Sequence, residues 1–380
     1  MTTKVTGIDA GSGQPISIEI ADGRITTIAA GAPGEDRFLS AGLVDLQVNG
    51  YAGIDLNAGV PGIESISSLA RQLLAMGVTG FCPTLITASR EALLQRLRAI
   101  AGAIEADERL AAMVAGIHVE GPFIAPEDGP RGAHPPEHVR PPDFAEFAAW
   151  QEAAGGRITI LTLSPHWPGA SAFIEKVTRE NVKVAIGHTG ASAEAITAAV
   201  DAGAVLSTHL GNGAAAVLPR HPNFIWTQLA DDRLTASFIA DGHHLPGDTL
   251  KVMLRAKGLE RAVLVSDTAA LGGMPPGLYD APIGGQVEVS PEGRLGVHGT
   301  PYLAGAWRNL NEDVALATGL AGISLAQALR LATVNPGRFA GGRGRLEVGA
   351  PADLIRFRFA AGDNKLSITD VFLAGERVGS

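Results

Sequence analysis

Hydrophobic and polar residues alternate strictly in "VDLQVN", residues 44–49. In a β-strand successive side chains point to opposite faces, so this pattern predicts a strand with one apolar and one polar face. The valine and leucine side chains are expected to enter a core. The opposite face carries Asp45, Gln47 and Asn49, and it is a candidate lining for a functional site.

Short apolar runs of this kind recur along the chain and alternate with helical patterns. Amphipathic stretches such as "IESISSLARQLLAMG", "SREALLQRLRAIAGAI" and "SAEAITAAVDAG" lie between several of them. Strands that alternate with helices favour βαβ units and a parallel sheet, and eight such strands favour a (β/α)8 barrel over an open sheet. The predicted strands are 41–49, 78–85, 114–120, 157–164, 182–189, 204–210, 234–241 and 261–268.

The two chain ends differ from this central part. Residues 1–40 contain "ISIEIADGRITTIAAG", and the tail contains "GRLEVGAPADLIRFRF", which predict short strands separated by glycine turns. We therefore expect a small β domain built from residues 1–40 and 345–380 beside a barrel domain of residues 41–344.

Composition excludes several classes of protein. The net charge of −9 argues against non-specific nucleic-acid binding, which depends on a basic surface. The single cysteine, Cys82, excludes an intramolecular disulfide and a cysteine-rich metal site. The N-terminal stretch has no apolar signal core, and no run approaches the roughly 20 apolar residues of a membrane span. These features predict a cytoplasmic protein without a membrane partner.

Polar residues stand at the C-terminal ends of the predicted strands, where a (β/α)8 barrel places its active site. One histidine at a strand end is commonly structural, whereas two on successive strands, with acids on others, favour a site. The polar strand-end residues are Gln47, Asn49, Thr84, Glu120, Ser164, His188, His209, Asp241 and Asp267.

Glu120, His188 and His209 form a set of one carboxylate and two imidazoles. A catalytic zinc ion uses three protein ligands of these types and lowers the pKa of water to about 7. Iron, manganese or cobalt would also fit such a set. Asp267 on the last strand is placed to act as the base, and the alternative is that it caps the helix that follows "SDTAAL".

Several of these residues lie in longer motifs. "GIHVEGPF", "AIGHTGA", "STHLGNG", "IADGHH" and "LVSDTAAL" follow in the order and approximate spacing of the N-acetylglucosamine-6-phosphate deacetylase family, part of the amidohydrolase superfamily. "ATVNPGRFAG" and "GRLEVGAPADLI" also resemble the closing segment of many amidohydrolases. The resemblance implies a (β/α)8 barrel with a flanking β-sandwich, usually as a homodimer. It also implies hydrolysis of the N-acetyl group of an anionic amino-sugar phosphate, which gives acetate and the free amine.

The resemblance also implies roles for individual residues. Glu120, His188 and His209 look like the ligands of one divalent metal ion, with zinc expected, and Asp267 looks like the general acid/base. His134 resembles the histidine that helps to polarise the acetyl carbonyl. The positions that match substrate contacts are Ala133, Asn212, Gly213, Leu303, Ala304 and Gly305.

Two further pairs complete the implied site. Arg220 and His244 match the phosphate-binding pair, in which the arginine of the family reaches in from the neighbouring subunit. Gln47 and Asn49 occupy the places where many amidohydrolases carry His-x-His for a second metal. Since amides are weak zinc ligands, Gln47 and Asn49 are expected to hydrogen-bond a substrate or water, and one metal is predicted.

The match weakens in the segment "GNGAAAVLPRHPN". Gly211 stands where the family commonly has an aromatic residue, and Gly213 stands where it has alanine. His221 and Asn223 also replace the family's glutamate and glycine. These changes leave two alternatives open. In the first, which these changes motivate, the chain would deacylate a different N-acyl sugar phosphate or an unphosphorylated N-acyl compound. In the second, it would be an inactive relative that acts as a binding protein.

Overall fold

The computed structural model describes residues 2–282 and 284–378. It contains strands along the whole described chain. In chain order they are β1 (Thr3–Asp9), β2 (Pro15–Ala21), β3 (Arg24–Ala30), β4 (Phe38–Ala41), β5 (Leu43–Val48), β6 (Gly50–Tyr51), β7 (Ile54–Asp55), β8 (Val78–Ile86), β9 (Ile117–Glu120), β10 (Ile158–Leu163), β11 (Lys183–Ile186), β12 (Ala204–Ser207), β13 (Thr235–Phe238), β14 (Ala262–Leu264), β15 (Gly277–Ala281), β16 (Gly285–Val289), β17 (Leu295–Val297), β18 (Leu354–Arg358), β19 (Ser367–Leu373) and β20 (Glu376–Val378).

Helices connect the central strands, and several begin at the residues that the sequence favours. Ser89 and Ser192 each accept a hydrogen bond from a first-turn amide, as N-cap residues do. The helices are α1 (Ile63–Ala75), α2 (Arg90–Ala106), α3 (Glu108–Met113), α4 (Phe144–Ala153), α5 (Ala170–Arg179), α6 (Ala193–Asp201), α7 (Phe224–Ala230), α8 (Gly247–Lys257), α9 (Leu310–Leu320), α10 (Leu325–Leu331) and α11 (Val334–Gly337), with 3₁₀ turns at Pro136–His138 and Leu259–Arg261. Within the described chain, none of these helices has the length and apolar character needed to cross a bilayer.

The central sheet is a parallel (β/α)8 barrel, which confirms the predicted fold class. Its strands follow one another in the order β5, β8, β9, β10, β11, β12, β13, β14. The barrel closes through a parallel bridge between Val48 and Thr268, and the amide of Asp267 donates to the carbonyl of Gln47 at 3.0 Å. The carboxyl ends of all eight strands therefore open on one mouth.

The polar strand β5 is buried along its whole length. Its pairing with β8 shifts register between Asp45 and Val48, so the single apolar face expected from the alternation is divided. Val44 and Leu46 pack in a small cluster with Cys82, whereas Val48 packs in the larger cluster between strands and helices. Both polar side chains at 45 and 47 lie in the interior.

A second sheet combines the two chain ends in the order β20–β19–β18–β4–β1–β2–β3. It encloses its own apolar cluster around Ile18, Leu39 and Phe372. The sequence predicted this shared sheet, and the division of domains at residues 40 and 345 stays our proposal.

A third sheet, β15–β16–β17, is inserted after the last barrel strand. Its antiparallel strands bury Val287, Val289 and Leu295 against residues of the loop around Ala304. The sequence analysis did not separate this insertion from the barrel domain. It matters for function because it forms one wall above the barrel mouth.

Candidate active site

Three side chains converge on one carboxylate oxygen at the mouth of the barrel. Glu120, the last residue of β9, places its Oε1 3.2 Å from His188 Nε2 and 2.9 Å from His209 Nε2. Gln47 Nε2 donates to the same oxygen at 3.1 Å. All four side chains are buried. The structure thus brings together the three residues that the sequence singled out as metal ligands.

The turns after three barrel strands hold candidate site residues in an unusual backbone conformation. His188, His209 and Asp267 follow β11, β12 and β14, and their φ angles are 49°, 28° and 52°. Residues other than glycine adopt this left-handed region at an energetic cost, and such residues cluster at functional sites. Three predicted site residues therefore share one unusual backbone conformation at equivalent places in the barrel.

The donor set fits a divalent metal ion. His188 Nδ1 lies 2.8 Å from the carbonyl of Pro130, and this contact places a proton on Nδ1 and leaves the Nε2 lone pair free for a metal. A carboxylate and two imidazole nitrogens directed at one point are the ligand types and number of a catalytic zinc site.

His134 lies beside this cluster. Its ring centroid is 4.3 Å from that of His188, and its Nδ1 is 2.8 Å from Thr87 Oγ1. The donor atoms of Glu120, His134 and His188 all lie within 4.8 Å of one another. His209 stays the predicted third ligand, since its Nε2 directly faces Glu120 Oε1 while the Nδ1 of His134 is engaged by a hydroxyl.

Burial and mutual charge set the protonation of the cluster. Burial alone would lower the pKa of His209, but the hydrogen bond to Glu120 raises it to about 9. Burial alone would raise the pKa of Glu120, but His188 and His209 hold it well below its usual range. Burial, followed by the charge of His188, lowers the pKa of His134 to about 3, so this ring is neutral at physiological pH.

Asp267 has the raised pKa that a general base at neutral pH uses. Burial raises it to about 6, and His209 opposes part of that shift. Asn49 Nδ2 donates to Asp267 Oδ1 at 2.7 Å, which also favours the ionised carboxylate. This side chain therefore accepts a proton near neutral pH.

Gln47 and Asn49 each hydrogen-bond a carboxylate of the site. The sequence led us to expect hydrogen bonds to substrate or water. In the structure Gln47 instead donates to Glu120 and Asn49 donates to Asp267. Asn49 also lies on the cavity wall, so a further contact from this side chain to substrate stays a prediction.

A cavity of about 330 Å³ opens over these residues. It brings together most of the residues predicted to contact substrate, but Gln47 is buried and does not line it. The third sheet closes one side of the cavity with Val287 and Leu295. Arg220 is exposed and does not line it. The predicted residues on its wall are Asn49, Glu120, Ala133, His134, His188, His209, Asn212, Gly213, His244, Asp267, Leu303, Ala304 and Gly305.

Sequence reasoning missed a polar chain beneath the site. His118 Nε2 lies 2.8 Å from Thr162 Oγ1, which lies 2.7 Å from Thr208 Oγ1. Burial, partly offset by Glu120, lowers the pKa of His118 to about 4. His118 precedes Glu120 by two residues on the same strand, a spacing that could have marked it as an interior neighbour.

Several known proteins are similar to this chain over most of its length. The profile of the amidohydrolase family matches residues 38–378. The N-acetylglucosamine-6-phosphate deacetylase of Bacillus subtilis (strain 168) is 31% identical over 354 residues, which is 89% of this chain and 87% of the relative. The N-acetylgalactosamine-6-phosphate deacetylase of Escherichia coli O157:H7 is 30% identical over 364 residues, which is 94% of this chain and 93% of the relative.

A solved structure of a deacetylase is also similar to this chain. An Asp-to-Ala mutant of the Mycobacterium smegmatis N-acetyl-D-glucosamine-6-phosphate deacetylase, in complex with N-acetyl-D-glucosamine-6-phosphate, superimposes with a TM-score of 0.88 at 30% identity. The match covers 99% of each chain. With a family profile that spans the barrel and relatives that match almost from end to end, this chain belongs to the amidohydrolase family.

Proposed function

We propose that this chain is a metal-dependent deacetylase of N-acetylglucosamine 6-phosphate. The observation that carries the proposal is the buried convergence of His188 and His209 on Glu120, in a cavity that also exposes Asp267. Relatives that carry this activity in their names match about nine-tenths of the chain.

Glu120, His188 and His209 would hold one divalent metal ion, for which we propose zinc. When bound, such an ion supplies a Lewis acid and lowers the pKa of water to about 7. Gln47 supports the carboxylate ligand through its hydrogen bond to Oε1. Neutral amides at positions 47 and 49 support a site for one metal rather than two.

Asp267 would move the proton in both halves of the reaction. It accepts a proton from the water whose oxygen bonds to the acetyl carbon, and it then gives that proton to the amine as the C–N bond breaks. The products are acetate and the amino-sugar phosphate. Asn49 orients this carboxylate and favours its ionised form.

His134 would stabilise the negative charge that develops on the acetyl oxygen. The neutral ring is held by Thr87 at Nδ1. If the threonine hydroxyl donates to Nδ1, the ring carries its proton on Nε2 and can donate it to that oxygen. A donor aimed at the developing charge lowers the barrier more than one aimed at the ground state.

The phosphate end of the substrate would lie at His244, on the cavity wall. Arg220 belongs to the same predicted pair but is exposed and outside the cavity of its own chain. We therefore propose a homodimer in which Arg220 of a second copy completes the phosphate site. We also propose the cytoplasm as the compartment.

The test is acetate release by zinc-loaded protein from N-acetylglucosamine 6-phosphate, N-acetylgalactosamine 6-phosphate and unphosphorylated N-acetylglucosamine. We expect fast turnover of the first compound. Asp267→Asn is expected to lower kcat by a factor of about 10²–10⁴ while the metal content is retained. Equal rates for mutant and wild type would exclude Asp267 as the base.

A second candidate substrate is the 4-epimer, N-acetylgalactosamine 6-phosphate. The relative from E. coli that is named for this substrate matches 94% of the chain at 30% identity, nearly the identity of the glucosamine enzymes. Faster release of acetate from the galactosamine compound would favour this candidate. Bound metal without turnover of any compound would indicate a different N-acyl substrate, and absence of metal binding would favour the inactive relative.

A further inference from the structure

Asp241 and His244 form a buried pair at the end of β13, on the side of the barrel mouth opposite β9. Asp241 Oδ2 lies 2.8 Å from His244 Nδ1. Asp241 Oδ1 accepts hydrogen bonds from the backbone amides of His243 and His244, each at 2.8 Å. The two side chains are only 2% and 7% exposed. The carboxylate therefore fixes both the loop and the ring.

The carboxylate of the pair, Asp241, is ionised. Burial alone would raise the pKa of Asp241, but the neighbouring His244 lowers it to about 2. The carboxylate is ionised at any pH at which the protein would work, so it acts only as an acceptor. His244 Nδ1 must then carry a proton, and Nε2 is the ring nitrogen left to meet a ligand in the cavity.

We propose that Asp241 is a positioning residue for recognition of the substrate's phosphate group, acting through His244. The inference rests on the proposed function, in which His244 meets the phosphate. A carboxylate at Nδ1 holds the ring orientation. When the ring donates from Nε2 to an anion, both ring nitrogens carry protons, and the same carboxylate then balances the charge of the ring. Asp241 itself touches neither the phosphate nor the reacting amide.

The alternative is a purely structural role, in which Asp241 only closes the loop through its bonds to the two backbone amides. The two roles differ in their substrate dependence. A structural defect lowers activity on every substrate, whereas loss of positioning at His244 affects only substrates that carry the phosphate. Asp241→Asn separates them, since it keeps the shape of the side chain and removes the charge.

The experiment compares kcat and KM of Asp241→Asn on N-acetylglucosamine 6-phosphate and on unphosphorylated N-acetylglucosamine. We expect KM for the phosphorylated sugar to rise about tenfold, by analogy with the low end of the loss seen when the hydrogen-bond partner of a metal-ligating histidine is removed. The ratio of kcat/KM for the phosphorylated to the unphosphorylated sugar should fall by about the same factor.

Asp353→Asn is the matched control. Asp353 is also buried and also accepts a backbone amide hydrogen bond, from Ala374 at 2.8 Å, but it lies outside the cavity. This control should leave the substrate ratio at the wild-type value. In a His244→Gln background, Asp241→Asn should cause no further loss of phosphate preference, because its effect passes through the ring.

An equal loss on both sugars with Asp241→Asn would overturn the proposal, and so would a full additional loss in the His244→Gln background. Calorimetric titration with inorganic phosphate keeps the proposal testable if neither sugar is a substrate. We expect phosphate to bind Asp241→Asn about tenfold more weakly than Asp353→Asn. Equal binding to the two variants would refute the proposal, whereas absent turnover with this expected difference would refute only the proposed substrate.

Discussion

Replacing Asn49 by leucine tests how much the active carboxylate depends on its neighbouring amide. Asn49 Nδ2 donates to Asp267 Oδ1 at 2.7 Å, and leucine has nearly the same shape without a donor. A hydrogen bond to a charged group contributes about 1.5–3 kcal/mol. Since about 1.4 kcal/mol corresponds to a tenfold change in rate, kcat/KM is expected to fall by roughly 10- to 150-fold.

The pH profile gives a second measurement of the same effect. In the proposed mechanism Asp267 acts as a base only when it is ionised, so the rate should fall as the pH falls through its pKa of about 6, a value that burial raises. Asn49 lowers this pKa. Removing the amide raises it further, and the acidic limb of kcat/KM should move to higher pH in Asn49→Leu.

Gln47→Leu is the matched comparison, because it removes a donor from Glu120 instead of Asp267. We expect this variant to lose metal more easily on dialysis, with the acidic limb kept near its wild-type position. Acetate release across pH 5–9, with metal content measured on the same samples, distinguishes the two. If Asn49→Leu retained wild-type kcat/KM and an unmoved limb with full metal content, the role assigned to Asn49 would be wrong.

Three other outcomes follow from buried groups. In Gly213→Val, which is larger than the alanine common in the family, the Cβ would stand 2.7 Å from His188 Nδ1 at a residue with a φ of 57°, so metal analysis should show reduced occupancy. Burial raises the pKa of Asp313 well above its usual value, and neither of its carboxylate oxygens has a hydrogen-bond partner among the described residues. Its ionisation therefore destabilises the fold as pH rises, and urea unfolding of Asp313→Asn should show a gain of about 1–3 kcal/mol at pH 8, with less gain at pH 4. Because the bond to Glu120 raises the pKa of His209 to about 9, metal uptake at pH 7.5 should release about one proton, detectable with an indicator dye in weak buffer.

The barrel could be predicted because its signals are local. Each strand is a short apolar run between helical patterns, and each predicted strand range contains an observed strand or overlaps one. The expected positions of Glu120, His188, His209 and Asp267 follow from the rule that barrel sites lie at the carboxyl ends of strands. A local pattern and one topological rule were enough to predict that these four side chains lie close together.

The partners of the polar residues could not be predicted in the same way. Gln47 and Asn49 were expected to face a ligand, but Gln47 donates to a carboxylate on β9 and Asn49 to a carboxylate that follows β14. Which acceptor each amide meets depends on the register and twist of strands far apart in sequence. The third sheet was missed for a different reason. The alternation in "QVEVSPEGRLGV" predicts a hairpin, but it is short and lies in a glycine-rich stretch.

The closure of the barrel has a consequence for when the site forms during folding. Asn49 and Asp267 are separated by 218 residues, and Gln47 and Glu120 by 73. Contacts at such separations form late in folding, because the entropy of closing the intervening chain must be overcome first. Asn49, just after the first barrel strand, can donate to Asp267 only once the last barrel strand has arrived beside the first. Catalytic competence should therefore appear in the final step of folding, and a nascent chain that ends before Asp267 has no route to activity.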